Sequence, residues 1–368
     1  MNNPAQSSNN DRLAATRPAR LSGLDVARLI AFVGMVIVNF KVVMVSDIAP
    51  SGQVPSGWLG ALTGGLEGRA AATFVVLAGI GLGLSVSGAG QLQTLIVTLK
   101  RAAFLLVIGL LNVLIFSADI LHYYAFYFLF GAMLLPLSTR VLVAIIVAVN
   151  VVFVGLLLTL NYDLGWNWAT YEYLDFWSVD GFTRNLFFNG WHPVFPWLSF
   201  LLVGIILSRF ELSRRRIQMR MVWLGAGGLL IVELISRGVI SLVPIADKEW
   251  VAILGTSPVP PMPFYILAGI CVAMFVTGLC LLANNRLERA GVLKFIIPAG
   301  RQTLTLYMAH IFIGMGLLDV VNMLGGQSLE TAVLAALMFC AAAIVYASFW
   351  SRWFKRGPLE FLMRRIVG

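Results

Sequence analysis

The sequence is short of charge. Asp, Glu, Lys and Arg make up 12% of its 368 residues, whereas hydrophobic residues make up 59%. A water-soluble domain carries about 25% charged residues, because its surface must stay hydrated. A larger buried core does not explain the deficit, since surface area still grows with chain size. The composition therefore excludes an ordinary soluble protein and indicates that lipid surrounds most of the molecule.

The sequence also lacks the short segments of alternating hydrophobicity that build a membrane β-barrel. Its apolar runs are unbroken and suit helices of about 20 residues, the length that crosses a bilayer. We therefore predict an all-α, polytopic transmembrane helical bundle. The ten predicted spans are residues 24–44, 70–87, 102–116, 120–137, 141–160, 193–207, 221–243, 262–283, 303–321 and 331–350. A short or re-entrant piece at residues 296–298 leaves eleven spans open.

Cysteine and histidine are scarce, with three residues of each type. Cys271, Cys280 and Cys340 all fall inside predicted spans, so we expect neither a disulfide framework nor a catalytic thiolate. The three histidines are dispersed without paired spacing. We therefore predict no metal site.

The basic residues are concentrated in alternate loops, for example around Lys100, Arg215 and Arg289, and in both terminal segments. The positive-inside rule then predicts cytoplasmic N and C termini and an external loop at residues 161–191. We expect residues 1–20 to be a disordered cytoplasmic tail, residues 21–351 a transmembrane domain, and residues 352–368 a basic cytoplasmic segment. This pattern accounts for the net charge of +9 without a nucleic-acid partner, and makes membrane lipid the expected surrounding.

The histidines are the candidate catalytic residues. His122 follows Asp119 by three residues at the predicted outer end of the fourth span, so helical spacing puts both side chains on one face. A carboxylate there can orient an imidazole that acts as a general base, although Asp119 can equally cap the helix. His310 lies deeper, where ionisable groups are functional candidates. His192 starts the sixth span and is either an interfacial cap or a substrate contact.

The external loop at residues 161–191 is rich in aromatic residues, among them Trp166, Trp168 and Trp177. They form either an interfacial aromatic belt or a lid and platform for a cyclic acceptor such as a sugar. Within the spans, Glu233 and Arg237 are four residues apart and are most simply a structural ion pair.

Several motifs resemble one family along nearly the whole chain. Residues 20–28, leading into Gly34-Met35 and Val38-Asn39, resemble the opening of YeiB-like membrane proteins and the first span of heparan-α-glucosaminide N-acetyltransferase. The segments at residues 68–82, 119–125, 192–197, 300–307 and 357–360 continue the resemblance in order. The chain thus resembles a YeiB-like member of the transmembrane acyltransferase group.

The resemblance implies transfer of an acyl group, usually acetyl, from cytoplasmic acyl-coenzyme A to an acceptor across a bacterial-type inner membrane. The family's catalytic histidine lies in the loop after the first span, and here residues 41–68 contain no histidine. That role then falls to His122, His192 or His310, and we select His122 because Asp119 accompanies it.

Further roles complete the predicted site. We expect Arg101 and Arg301 to meet the coenzyme phosphates, Arg69 to lie at the thioester or acceptor end, and Asn39 to donate to the oxyanion. His192, Trp177 and Tyr124 are the candidate acceptor contacts. A secondary transporter of a small metabolite remains the alternative function. The expected acceptor is a small molecule or a glycan, and a homo-oligomer is left open.

Overall fold

The computed structural model of the chain describes residues 21–45, 57–85, 90–244 and 248–368. The tail predicted at residues 1–20 lies outside this part. The helices are α1 (Ser22–Val45), α2 (Trp58–Leu66), α3 (Arg69–Ser85), α4 (Gln91–Val113), α5 (Leu121–Leu134), α6 (Thr139–Thr159), α7 (Val179–Arg184), α8 (Val194–Ser208), α9 (Arg215–Ile240), α10 (Lys248–Leu254), α11 (Pro263–Arg289), α12 (Leu293–Arg301), α13 (Thr303–Ala309), α14 (Gly316–Val320), α15 (Leu329–Trp350) and α16 (Pro358–Val367). Two π-helical segments, Asn185–Asn189 and His310–Met315, and a small hairpin of β1 (Trp166–Asn167) and β2 (Glu172–Tyr173) complete the described structure.

The chain is a multi-pass, all-helical membrane protein. Within the described residues, eight helical stretches are long and apolar enough to cross a membrane, and a bent pair broken between Asn189 and Val194 makes up to nine. The members of that pair, Val179–Asn189 and Val194–Ser208, meet at 52°. The exposed side chains agree, since α6 presents Val147 and Val151 at 57% and 65% exposure. Valines at that exposure suit lipid contact.

Helix length and composition alone give eight or nine spans among the described residues, whereas we predict about ten. The fourth predicted span, residues 120–137, contains only α5, which has 14 residues and a length of about 21 Å. The apolar core of a bilayer is about 30 Å thick. The helix ends at Leu134, two residues before Pro136, and a proline has no backbone N–H with which to continue the helical hydrogen bonds. The eleventh candidate, α12, has nine residues and is shorter still.

Helix α1 lies at the centre of the bundle and packs against α3, α11, α12 and α15. A second layer forms where α3 packs on α8 and where α4 packs on α5. The α4–α5 crossing is very close: a methyl group at Gly109 would lie 2.3 Å from the backbone nitrogen of His122. Glycine is thus required at this point of α4, and the contact places the start of α5 against it.

The loop at residues 161–191, which we predict to be external, has a defined structure. Trp166 stacks on Trp168 with ring centroids 4.5 Å apart, and Trp191 meets Trp166 edge-on at 5.0 Å. The Asn189 side chain donates to the carbonyl oxygens of Tyr162 and Leu164 at 2.7 and 2.8 Å. These contacts fix the loop against the start of α8.

Candidate active site

A pocket with about 60 Å³ of accessible space opens where α1, α3, α5 and α13 approach one another. This space is smaller than the usual small-molecule site, which is about 300–1,000 Å³. Most of its wall is apolar, and its polar side chains are Asn39, His192 and Tyr307. The remaining lining residues are Met35, Val38, Leu66, Gly68, Ala70, Ala71, Ala118 and Ile120.

His310 lies directly behind Asn39 and is fully buried. Its Nδ1 contacts the backbone carbonyl oxygen of Tyr307, and its Nε2 lies 3.0 Å from Nδ2 of Asn39. A carbonyl oxygen only accepts, so in the neutral ring Nδ1 carries the proton and Nε2 keeps its lone pair. Asn39 then donates to Nε2. The arrangement holds an unprotonated imidazole nitrogen one amide group away from the pocket.

The backbone widens at this histidine, because His310 begins the π-helical segment that follows α13. Such segments occur frequently at functional sites. The ring also meets Phe32 of α1 edge-on, with centroids 6.3 Å apart. Helix α1 therefore supplies both the hydrogen-bond partner of the imidazole and part of its apolar wall.

Asp119 is fully buried and gathers several donors. Its Oδ1 accepts from Asn112 at 2.7 Å and from the Tyr307 hydroxyl at 3.2 Å. Its Oδ2 accepts from the backbone nitrogens of Leu121 and His122 at 2.7 and 3.2 Å. Asp119 thus caps α5, which is the alternative role considered for it, and also joins α5 to α13.

His122 has the expected carboxylate partner, since its Nδ1 lies 3.2 Å from Oδ2 of Asp119. Its ring is 1% exposed and packs on Tyr123 with centroids 3.9 Å apart. Nε2 is buried without a hydrogen-bond partner in the described part of the chain. Neither His122 nor His310 lines the pocket directly, but Asn39, the hydrogen-bond partner of His310, does.

The three predicted acceptor contacts, His192, Tyr124 and Trp177, lie in different places in the structure. His192 lines the pocket, and its ring meets Trp197 edge-on at 4.6 Å. Tyr124 is 4% exposed and packs behind the site against Phe74. Trp177 is 63% exposed and touches Phe176, which in turn meets His122 edge-on at 5.6 Å.

Two of the three predicted coenzyme-binding arginines already have a carboxylate partner. Arg69 donates to Glu233 at 2.6 Å and to Thr256 at 3.0 Å. Arg301 lies 3.5 Å from Asp25. The predicted ion pair of Glu233 with Arg237 is looser, at 3.8 Å, and Arg237 is 80% exposed. The close partner of Glu233 is Arg69, which the helical spacing did not reveal.

Arg101 differs from the other two arginines. Its guanidinium lies over the ring of Phe128, 5.9 Å from the centroid. Its Nε is buried without a hydrogen-bond partner, and no carboxylate among the described residues pairs with it. A half-buried guanidinium without a carboxylate partner favours an anionic ligand, because guanidinium groups bind phosphate and carboxylate strongly.

The C-terminal helix fixes the start of the helix that carries Tyr307. Glu360 of α16 accepts from the backbone nitrogens of Leu304 and Thr305 at 2.8 and 3.1 Å. Burial raises the pKa of the Glu360 carboxyl, while its hydrogen bonds with Thr305 oppose that shift. The motif at residues 357–360 therefore positions α13.

Tyr307 and Asn112 are site residues to which the sequence analysis gave no role. Tyr307 stands in the motif at residues 300–307, but its contact with Asp119 joins residues 188 positions apart. Asn112 lies seven residues before Asp119, across a turn whose geometry the pattern does not predict. Among the described residues, no three His, Cys, Asp or Glu side chains come together to hold a metal ion.

Comparison with known families covers the whole length beyond the N-terminal tail. Residues 20–243 match the family described as "Heparan-alpha-glucosaminide N-acetyltransferase, catalytic". Residues 206–368 match "Protein of unknown function (DUF418)". No curated protein matches the chain at a significant level. The first match spans more than half of the chain and includes Asn39, Asp119, His122 and His192.

Proposed function

The chain belongs to the heparan-alpha-glucosaminide N-acetyltransferase catalytic family, and from that premise we propose that it transfers an acyl group from acyl-coenzyme A to an acceptor. The acyl group is acetyl, the donor is cytoplasmic, and the acceptor, a sugar or another hydroxyl or amine compound, approaches from the outer side. The protein acts in a bacterial-type inner membrane. The observation that carries this proposal is the unprotonated Nε2 of His310 held beside pocket-lining Asn39.

The proposed reaction is direct acyl transfer. The acceptor oxygen or nitrogen attacks the thioester carbonyl carbon while its proton passes to Nε2 of His310. The carbon–sulfur bond then breaks, and the leaving thiolate takes the proton from the imidazolium. A neutral imidazole suits both steps near neutral pH, and a general base contributes roughly 10²–10⁴-fold in rate.

Asn39 has a second role in this scheme. The acceptor takes the place of the amide at Nε2, and the released N–H groups of Asn39 donate to the developing oxyanion. One such donor is worth roughly 10²–10³-fold in rate. Tyr307 positions the imidazole through its backbone carbonyl oxygen and anchors α13 through its hydroxyl.

Arg101 supports the donor side of the proposal. It stands eleven residues before Asn112 on α4, which is about 16 Å along the helix axis. An extended pantetheine arm covers such a distance between the thioester and the diphosphate. Arg101 then supplies the counter-charge for the diphosphate, because guanidinium groups bind phosphate strongly. Arg301, already beside Asp25, is the weaker candidate.

Purified protein incubated with radiolabelled acetyl-coenzyme A and candidate hydroxyl and amine acceptors tests the proposal. We expect acceptor-dependent release of coenzyme A and a labelled product, both lost in His310→Gln. His310→Gln protein must bind the coenzyme and keep its melting temperature for the comparison to count. The proposal is contradicted if no acceptor increases the release of coenzyme A and if His310→Gln also keeps the full rate of that release.

A secondary transporter is the second candidate, and one observation favours it. The bent pair meets at 52° beside pocket-lining His192, and broken helices at a binding site are typical of transporters. Proteoliposomes separate the two functions. Solute flux that needs no acyl-coenzyme A favours the transporter, whereas label transfer without such flux favours the enzyme.

A further inference from the structure

A second pocket, with about 220 Å³ of accessible space, lies at the other end of the bundle from Asn39. It is formed where α3 ends, α4 begins, α5 ends and α8 ends. The residues that carry the argument are Thr94 and Arg209, with Ser208 and Gly83 beside them. In the predicted orientation this pocket opens at the cytoplasmic face.

Thr94 contributes a buried hydroxyl to this pocket. The residue is 6% exposed, and its Oγ1 has no hydrogen-bond partner in the part of the chain that the structure describes. Its backbone nitrogen is already bonded to the carbonyl oxygen of Gly90. A buried hydroxyl without a partner is costly. An acceptor atom on a bound ligand therefore suits this position.

Arg209 contributes a fixed positive charge. Its Nη1 donates to Thr139 Oγ1 at 2.8 Å, and its Nη2 donates to the carbonyl oxygens of Leu137 and Leu135 at 2.6 and 3.2 Å. These acceptors are neutral, and no carboxylate among the described residues pairs with Arg209. Three of its five N–H groups are used. The Nε–H and one Nη1–H remain for an anion.

The start of α4 adds to the positive potential. The helix begins at Gln91, and no side chain caps it at Gly90. Thr94 lies within its first turn. The free backbone N–H groups of a long helix favour a negative charge at this end.

We propose that this second pocket binds a phosphate group. The assignment to a particular ligand rests on the proposed function: Thr94 lies seven residues before Arg101 on α4, about 10 Å farther from the first pocket. With the diphosphate of acyl-coenzyme A at Arg101, its 3′-phosphate reaches Thr94 and Arg209. The phosphate of an anionic phospholipid offers the same chemistry from the bilayer.

Paired coenzymes provide the first arm of the test. Equilibrium binding of acetyl-coenzyme A and of 3′-dephospho-acetyl-coenzyme A is measured on purified full-length protein, without turnover. We expect wild type to prefer the 3′-phosphorylated form by about tenfold or more, the effect of a hydrogen bond to a charged group. Thr94→Val and Arg209→Gln should each narrow that preference.

Thr98→Val is the matched control, because its hydroxyl already donates to the Thr94 carbonyl oxygen at 2.7 Å. It should keep the wild-type preference. Thr94→Val loses a hydroxyl that has no partner, so its melting temperature should be no lower than that of wild type. Folding of this variant therefore does not confuse the result, even if Arg209→Gln unfolds.

Lipid nanodiscs provide the second arm of the test and distinguish the two sources of phosphate, coenzyme and lipid. Nanodiscs of phosphatidylglycerol and of phosphatidylcholine are compared for their effect on the melting temperature. One outcome is that Thr94→Val leaves the preference for the 3′-phosphorylated coenzyme unchanged but abolishes the additional stabilisation by phosphatidylglycerol over phosphatidylcholine. The phosphate then comes from lipid, and the proposed phosphate site is supported. If Thr94→Val abolishes the stabilisation by phosphatidylglycerol and wild type binds no coenzyme at all, the proposed function is contradicted while the phosphate site is still supported. Wild type that shows neither coenzyme preference nor phosphatidylglycerol stabilisation overturns the phosphate site.

Discussion

The contact between His310 and Asn39 allows a double-mutant test of the proposed chemistry. Their side-chain nitrogens are 3.0 Å apart, so each substitution changes the surroundings of the other residue. His310→Gln removes the base and should slow acyl transfer by roughly 10²–10⁴-fold. Asn39→Ala removes the oxyanion donor and should slow it by roughly 10²–10³-fold.

The variant with both His310→Gln and Asn39→Ala shows whether the two residues act together. Independent effects would multiply to a loss of roughly 10⁴–10⁷-fold. Residues in contact that act as a unit deviate from additivity, typically by about 0.5–3 kcal/mol. We expect a coupling near the upper end of this range, about 150-fold, because without the base the donor has little reaction to assist. The double variant should then be within about tenfold of His310→Gln alone.

The assay is the single-turnover rate of thiol release from acetyl-coenzyme A in the presence of acceptor. Coenzyme binding and melting temperature are measured on the same preparations. His122→Gln is the matched control, since it is equally buried and also adjoins Asp119–Tyr307 contacts. It should lose less than tenfold if its role is to pack the start of α5.

Two results refute the reasoning. If His310→Gln keeps its rate within tenfold while His122→Gln loses more than a hundredfold, the base is His122 with Asp119 as its orienting partner. If the losses of His310→Gln and Asn39→Ala multiply fully, the two residues do not act as one unit.

Three other predictions concern stability and orientation. Glu233→Gln should lower the free energy of unfolding by about 1–3 kcal/mol by breaking the 2.6 Å contact with Arg69, whereas Arg237→Gln should change it by less than about 0.5 kcal/mol; equal effects in thermal unfolding contradict this. Gly109→Ala should destabilise by about 1–3 kcal/mol through its 2.3 Å approach to His122, while Gly81→Ala, with its nearest neighbour at 3.8 Å, should not; a stable Gly109→Ala protein contradicts the close crossing. Cysteine at Val179, which is 83% exposed, should react with an impermeant thiol reagent added outside cells, and cysteine at Arg215 should not; the reverse pattern contradicts the predicted orientation.

Much of the fold follows from composition and apolar run length. Residues 24–44 and 331–350 closely match α1 and α15, because a continuous apolar run in a lipid-facing chain has no alternative to a helix. The predicted count and the count by helix length differ at α5, where the apolar run continues past the helix end at Leu134. Hydrophobicity does not distinguish a spanning helix from a short one enclosed by its neighbours. The hydrophobicity pattern also does not predict the bend before Val194.

The site was harder to predict than the fold. Spacing of three correctly joined Asp119 to His122, since that contact is local to one helix. It could not join Asn39 to His310, because those residues are 271 positions apart and meet only through packing of α1 on α13. The depth of His310 in its span was the available signal, and depth alone does not identify a partner.

The hydrogen bonds of Asp119 suit it to a positioning role. Its two oxygens accept from Asn112, from Tyr307, and from both the backbone and the ring of His122. These donors come from different segments of the chain and meet at one carboxylate, so Asp119 holds them together. Asp119 is therefore suited to position its neighbours. Through Tyr307 it fixes α13 and so the carbonyl oxygen that sets the tautomer of His310. Within the proposed function, the family's missing loop histidine is replaced by an imidazole whose tautomer and hydrogen-bond partner are both fixed by the bundle.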